Sequence, residues 1–228
     1  MNTTVTARHS ILGRLRAAPT STLPPLPDVK GWFDAQRRNE DLAQRLVRLR
    51  TAMQAVKAEF HDVTQANWPD VLLRIAASKS IGNLLIGRNT AHGATLQDRP
   101  LGALQLAYYE QPIDAWRDQL FDGIDASLTS ARSAVAEIGS IILWPTPSEP
   151  RLMSLVPHIH FVLLDASSIH SDLHSAITAE GWSSGLPTNA LLIGGPSKTA
   201  DIQQTLAYGA HGPRELIVLL RHTTGAAS

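Results

Sequence analysis

Between Asn189 and Leu220 the chain reads NALLIGGPSKTADIQQTLAYGAHGPRELIVLL, and this stretch restricts the fold more than any other. Ala190 to Ile193 is a short apolar run that stops at Gly194-Gly195-Pro196, where neither a helix nor a central strand continues. Ser197 or Thr199 is placed to cap a helix, with Asp201 in its first turn opposing the dipole. Gly209 is placed to end that helix in the left-handed conformation, and His211-Gly212-Pro213 makes a second turn. Leu216 to Leu220 is a continuous apolar run, the pattern of a strand buried on both faces. The expected order is strand, turn, helix, turn, strand. A turn at a strand's C-terminal end that opens a helix aims backbone amides at an anion, and Lys198 adds a positive charge. Gly195, Pro196, Ser197, Lys198, Thr199, Asp201 and Gly212 are therefore candidate ligand-binding residues, and His211 is a candidate acid–base group.

The rest of the chain alternates in the same way. Ala7 to Ala18 reads as a short helix, followed by a linker containing Pro24-Pro25-Leu26-Pro27. Residues 1–31 form an appendage on this reading, and 32–228 form one α/β domain. Phe33 to Ala58 carries an apolar stripe at helical spacing (Leu42, Leu46, Leu49, Met53, Val56) and reads as one helix covering a sheet. Strands are expected at 59–63, 83–86, 104–108 and 159–164, with helices at 67–79 and 172–180. This alternation gives a three-layer αβα sandwich with a mixed, largely parallel sheet. Two strand-like pieces, Ser133 to Ala136 and Ser140 to Leu143, are broken at Glu137-Ile138-Gly139 and suggest an antiparallel portion.

Glu137 interrupts the apolar run AVAEIGSIIL, and a carboxylate between buried strands is costly unless it is paired or functional. It is the candidate catalytic carboxylate. Gly139 would let a ligand approach, Ser140 supplies a hydroxyl, and Arg151 can clamp an anion or pair with Glu149. The dinucleotide fingerprint G-x-G-x-x-G is absent, and GGPSKT does not meet P-loop spacing. Ser197 lies in Gly-Pro-Ser rather than in a G-x-S-x-G elbow. The nine histidines form no ordered set with carboxylates, so no metal site is expected.

Composition narrows the partners. Twenty basic and twenty acidic residues give a formal net charge of zero, so no global field attracts nucleic acid or membrane. The chain has no cysteine, which excludes a disulfide, a catalytic thiol and a cysteine-ligated iron–sulfur cluster within it. MNTTVTARHS has no secretory pattern, and no apolar run approaches a membrane span, so a cytoplasmic location is expected.

Three blocks resemble one family. GPSKTADI followed by GAHGPREL, SLTSARSAVAEIGSIILWP (Ser127 to Pro145) and PRLMSLVPHIHFVLL (Pro150 to Leu164) are similar, in order, to segments of the lactate-utilization protein C family, the LUD-domain proteins. The resemblance implies the fold shared by glucosamine-6-phosphate deaminases, ribose-5-phosphate isomerases, CoA transferases and 5-formyltetrahydrofolate cyclo-ligase (NagB/RpiA/CoA transferase-like). It also implies action with cysteine-rich iron–sulfur partner proteins in oxidising L-lactate to pyruvate, with a small anionic ligand bound. The sequence departs from the family pattern at Ile138, Gln203 and Arg132. Two alternatives stand beside it: a stand-alone CoA-transferase- or cyclo-ligase-like enzyme, and a regulatory subunit with a vestigial site. Glu137, Ser140, Ser197, Lys198 and His211 are expected to share one pocket.

Overall fold

The computed structural model describes residues 7–18, 25–200, 206–208 and 212–223. The chain divides into two compact units, 1–37 and 38–228. In the first, helix α1 (Ala7–Ala17) buries no residue, and Ile11, Leu12 and Leu15 are exposed along it. Helix α2 (Val29–Gln36) starts at Asp28, whose carboxylate accepts from the Gly31 amide at 2.8 Å.

The single helix expected over 33–58 is two helices. The chain leaves the helical conformation after Gln36 and restarts as α3 (Leu42–Ala55). A reciprocal cap sets the restart: Asp41 accepts from the Gln44 amide at 2.8 Å, and the Gln44 side chain accepts from the Asp41 amide at 3.0 Å. Two amides that a helix start leaves open are thereby satisfied.

The second unit is an α/β structure around six parallel strands. These are β1 (Glu59–Thr64), β2 (Asn83–Ile86), β3 (Gln105–Tyr108), β4 (Ala126–Ser130), β7 (Ile159–Asp165) and β12 (Glu215–His222), in the order β1-β12-β7-β4-β2-β3. Continuous apolar runs in β2, β7 and β12 make sense because both faces are covered. On one face Leu84, Leu128, Phe161 and Leu219 pack with Trp68 and Leu72 of α4 (Trp68–Ser78) and Leu96 of α5 (Ala91–Gln97). On the other, Val162, Leu164, Val218 and Leu220 pack with Leu49 and Met53 of α3, and Leu85 packs with Trp116 and Leu120 of α6 (Ile113–Asp122). Each such aliphatic side chain contributes about 1.5–3 kcal/mol by leaving water.

The antiparallel pieces form a sheet of their own. β5 (Ser133–Val135) and β6 (Ser140–Leu143) pair antiparallel, β9 (Leu191–Ile193) adds antiparallel to β6, and β8 (Ile169–His170) adds parallel to β5. Its inner residues Ala134, Ile141 and Leu143 join the core under α3, and Val135 and Ile142 meet Ala176 of α7 (Leu173–Ala179) on the outer side.

One expectation fails here. No helix follows Ser197: β10 (Lys198–Ala200) pairs antiparallel with β11 (Leu206–Tyr208). Thr199 and Tyr208 suit an extended pair better than a helix, and pairing with β11 decides between two local options that the cap-like residues left open.

Candidate functional site

Because β9 belongs to the small sheet, its C-terminal turn does not project beyond the end of the parallel sheet. It returns over the start of β12. Ser197 donates its amide to Pro213 O at 2.8 Å, and a Cβ on Gly212 would sit 3.2 Å from that of Ser197. On the other side Gly194 lies against the β5–β6 turn, where an added Cβ would come within 3.5 Å of Gly139 O and 3.6 Å of Ser140 Oγ. Gly195 abuts Val56 just past the end of α3, and a Cβ would meet Val56 Cγ2 at 2.7 Å. The sequence-predicted residues Gly139, Ser140, Gly195, Ser197 and Gly212 are thus held together by backbone close approach.

These turns border a cavity of about 210 Å³ between the two sheets. Leu192, Ile193, Gly194, Gly195 and Ser197 form one side, Gly212, Pro213 and Leu216 a second, and Ser154, Leu155 and His160 a third. Among the described residues of this lining none is Asp, Glu, Lys or Arg. His160, the second residue of β7, is fully buried, with Nε2 2.8 Å from Thr129 Oγ1. Its Nδ1 is buried and has no hydrogen-bond partner among the described residues. Burial pushes the ring's pKa down to about 3, opposed only by the charge of Glu149, so His160 is neutral at physiological pH. The Ser154 hydroxyl donates to Arg151 O at 2.9 Å and keeps its own acceptor capacity.

Several expectations need correction. Glu137 is exposed in the turn between β5 and β6, where the chain closes through Gly139 at φ +60°, so it is not a buried carboxylate between strands. A tight hairpin turn explains the interruption of the apolar run that made it look functional. Arg151 lies exposed on a 3-10 turn, its Nη1 3.5 Å from Asn189 Oδ1, and it is outside the cavity lining. Lys198 is exposed, immediately after Ser197, and its amide and that of Thr199 belong to β10 rather than to a helix N-terminus. The anion site argued from a helix dipole therefore has no basis there. Asp201 and His211 lie outside the described residues.

A second polar cluster sits at the opposite end of the parallel sheet. The chain leaves β2 toward β3 on one side and β4 toward β7 on the other, so a crevice opens at their C-terminal ends. There Glu149 accepts from the Ser130 amide at 2.7 Å and from the Ser130 hydroxyl at 2.6 Å. His92, buried in the first turn of α5, brings Nε2 to 3.4 Å from Glu149 Oε1, an ionic contact too long and poorly aligned for a good hydrogen bond. Burial raises the Glu149 pKa, but the His92 ring and the Ser130 donors outweigh it and hold the carboxyl below its ordinary range. In the sequence Glu149 stands out only as a neighbour of Arg151. Among the described residues no group of three or more His, Cys, Asp or Glu could hold a metal ion, and no helix is long and apolar enough to cross a membrane.

A parallel α/β sheet carrying a small second sheet is the architecture to be set against known proteins. The chain belongs to the LUD domain family, whose model matches residues 46–220. It is 39% identical to an uncharacterized protein of Neisseria meningitidis, over 94% of this chain and 93% of that one. It is 28% identical to lactate utilization protein C of an Exiguobacterium species, over 56% of this chain and 65% of that protein. The Bacillus subtilis lactate utilization protein C matches at 29% identity over 42% of each chain. The chain thus spans less than two thirds of the length of these two relatives. A crystal structure of a DUF162 family protein from Deinococcus radiodurans has the same fold, with a TM-score of 0.55 at 18% identity over 80% of this chain and 99% of that one.

Proposed function

We propose that this chain is a cytoplasmic component of L-lactate utilization that acts with cysteine-rich iron–sulfur proteins in oxidising L-lactate to pyruvate. The observation that carries this reading is the LUD match across 46–220, joined by relatives named lactate utilization protein C. The absence of cysteine supports a division of labour. Converting a 2-hydroxy acid to a 2-oxo acid releases two electrons and two protons, and no side chain of this protein is suited to carry the electrons.

In this reading the protein binds the small anionic ligand. Its turns at Gly194 to Ser197 and at Gly212 line the interlayer cavity, the Gly139-Ser140 turn packs against Gly194, and Lys198 follows Ser197 in the chain. The carboxylate sits toward Lys198 and water, and the uncharged remainder enters the cavity. The stand-alone transferase reading relied on Glu137 and on a helix N-terminus at Ser197. With Glu137 exposed and a strand after Ser197, no observation favours it.

The test is reconstitution of lactate oxidation from the purified partner proteins, with and without this chain. Omission is expected to abolish or strongly reduce pyruvate formation. Equal rates without the chain would overturn the proposal.

A further inference from the structure

We propose that His160 hydrogen-bonds the hydroxyl or oxo group of a short 2-hydroxy or 2-oxo monocarboxylate, and that the cavity rejects molecules carrying a second charge at that end. This rests on the reading that the cavity bordered by Gly194 to Ser197 is the ligand site.

Four observations carry it. The cavity, at about 210 Å³, is several times the roughly 30 Å³ share of a water molecule, so it has room for a few heavy atoms and none for a nucleotide or a CoA chain. Its described lining offers Leu155, Leu192, Ile193, Pro213 and Leu216 and, among the described residues, no cation, so a carboxylate pushed inside would lose its hydration without gaining a partner there. His160 cannot supply the missing charge, because burial keeps the ring neutral. Behind it, the Glu149 carboxylate adds a field of the wrong sign for an anion.

The cavity is lined by His160, and this ring carries a polar atom in want of a partner. With Nε2 engaged by Thr129, His160 Nδ1 is a buried ring nitrogen with no partner among the described residues. A ligand is one way of satisfying such a group. A hydroxyl both donates and accepts, so it meets Nδ1 whichever ring nitrogen carries the proton; an oxo group requires the proton on Nδ1. Thr129, whose hydroxyl likewise serves either state, holds the ring in place and is a positioning residue.

The experiment is equilibrium binding to the full chain by calorimetry, with L-lactate, propionate (lactate without its hydroxyl) and L-malate (lactate with a second carboxylate) as probes. The wild type is expected to bind L-lactate roughly three- to tenfold more tightly than propionate, the worth of one neutral hydrogen bond. L-malate is expected to bind at least about tenfold more weakly than L-lactate. His160→Phe should bring the lactate-to-propionate ratio to about one while leaving propionate affinity within about twofold. If that variant does not fold, Thr129→Val is the second arm, and it should reduce the ratio without unfolding the protein. Equal binding of lactate and propionate by the wild type, or malate binding as tight as lactate, would overturn the role of His160 while leaving the cavity as the site. Failure of both lactate and propionate to bind at millimolar concentration would overturn the site reading itself.

Discussion

His160 and Glu149 mark the two ends of the same parallel sheet, and they have been treated by the fold in opposite ways. At the C-terminal ends of β2 and β4, Glu149 is nearly buried yet accepts from both Ser130 donors and touches His92. It remains an anion because its oxygens are satisfied. At the N-terminal ends of β7 and β12, His160 is fully buried beside a cavity, has one nitrogen bonded and one open, and is held neutral. The switch-point crevice is where α/β sheets are expected to bind ligands. Here Glu149 is satisfied by Ser130, although His92 Nε2 beside it is a buried nitrogen without a hydrogen-bond partner among the described residues, and the cavity lies at the other end. Topology proposes a site; the room left beside the polar groups decides whether anything can bind.

The sharpest way to break this comparison is to remove Glu149. Glu149→Ala leaves the Ser130 amide and hydroxyl without their acceptor and the buried His92 without its neighbouring carboxylate, and about 2–4 kcal/mol of stability should be lost in urea unfolding. Lactate binding by the folded fraction should not weaken. Because the folded pKa of Glu149 is lowered, its contribution is present above the unfolded value near 4.5 and fades as pH falls through the folded value. A destabilisation under about 0.5 kcal/mol would show that the cluster is not a structural clamp.

A second effect, spread over several pH units, is a pH slope. The folded pKa of His160 is about 3 against an ordinary 6.5, so the unfolded chain takes up that proton first. Its share of stability is full above about 6.5 and falls between 6.5 and 3 by up to about 1.4 kcal/mol per pH unit. His160→Phe should flatten this portion of the stability–pH curve. An unchanged slope would mean that the ring is accessible and titrates normally in the folded protein. The smallest effect is at Glu137. Glu137→Ala, in an exposed turn, should change stability by less than about 0.5 kcal/mol and leave lactate binding alone.

The comparison also shows what was legible in the sequence. The continuous apolar runs at Leu84 to Ile86, Phe161 to Leu164 and Leu216 to Leu220 announced buried strands of a parallel sheet, because burial on both faces leaves no alternation to hide. Gly139, Gly195 and Gly212 were picked as ligand-binding candidates, and in all three a Cβ would crowd a neighbouring segment, which is a packing reason for glycine that the sequence does not show. Local signals misled where two conformations share the same residues. Ser197 and Thr199 suit a helix cap as well as a strand entry, and Glu137 suits a buried site as well as a hairpin turn. Tertiary pairing with β11 and β6 settled both. His160 and Glu149 were hidden for a different reason. Neither departs from its local pattern, and their importance comes from Thr129, Ser130 and His92, which lie 19 to 57 positions away in sequence and meet them only in the fold. The one available hint was that His160 opens an apolar strand, where a polar side chain must find a partner or a purpose.

The central claim is that the functional end of this sheet is the one with the neutral cavity. Its most direct test is a crystal structure of the full chain soaked with L-lactate. Density for the ligand is expected in the cavity, with its hydroxyl within hydrogen-bond distance of His160 Nδ1 and its carboxylate toward Lys198. Lactate bound instead in the crevice beside Ser130 and Glu149, with the cavity unoccupied, would contradict it.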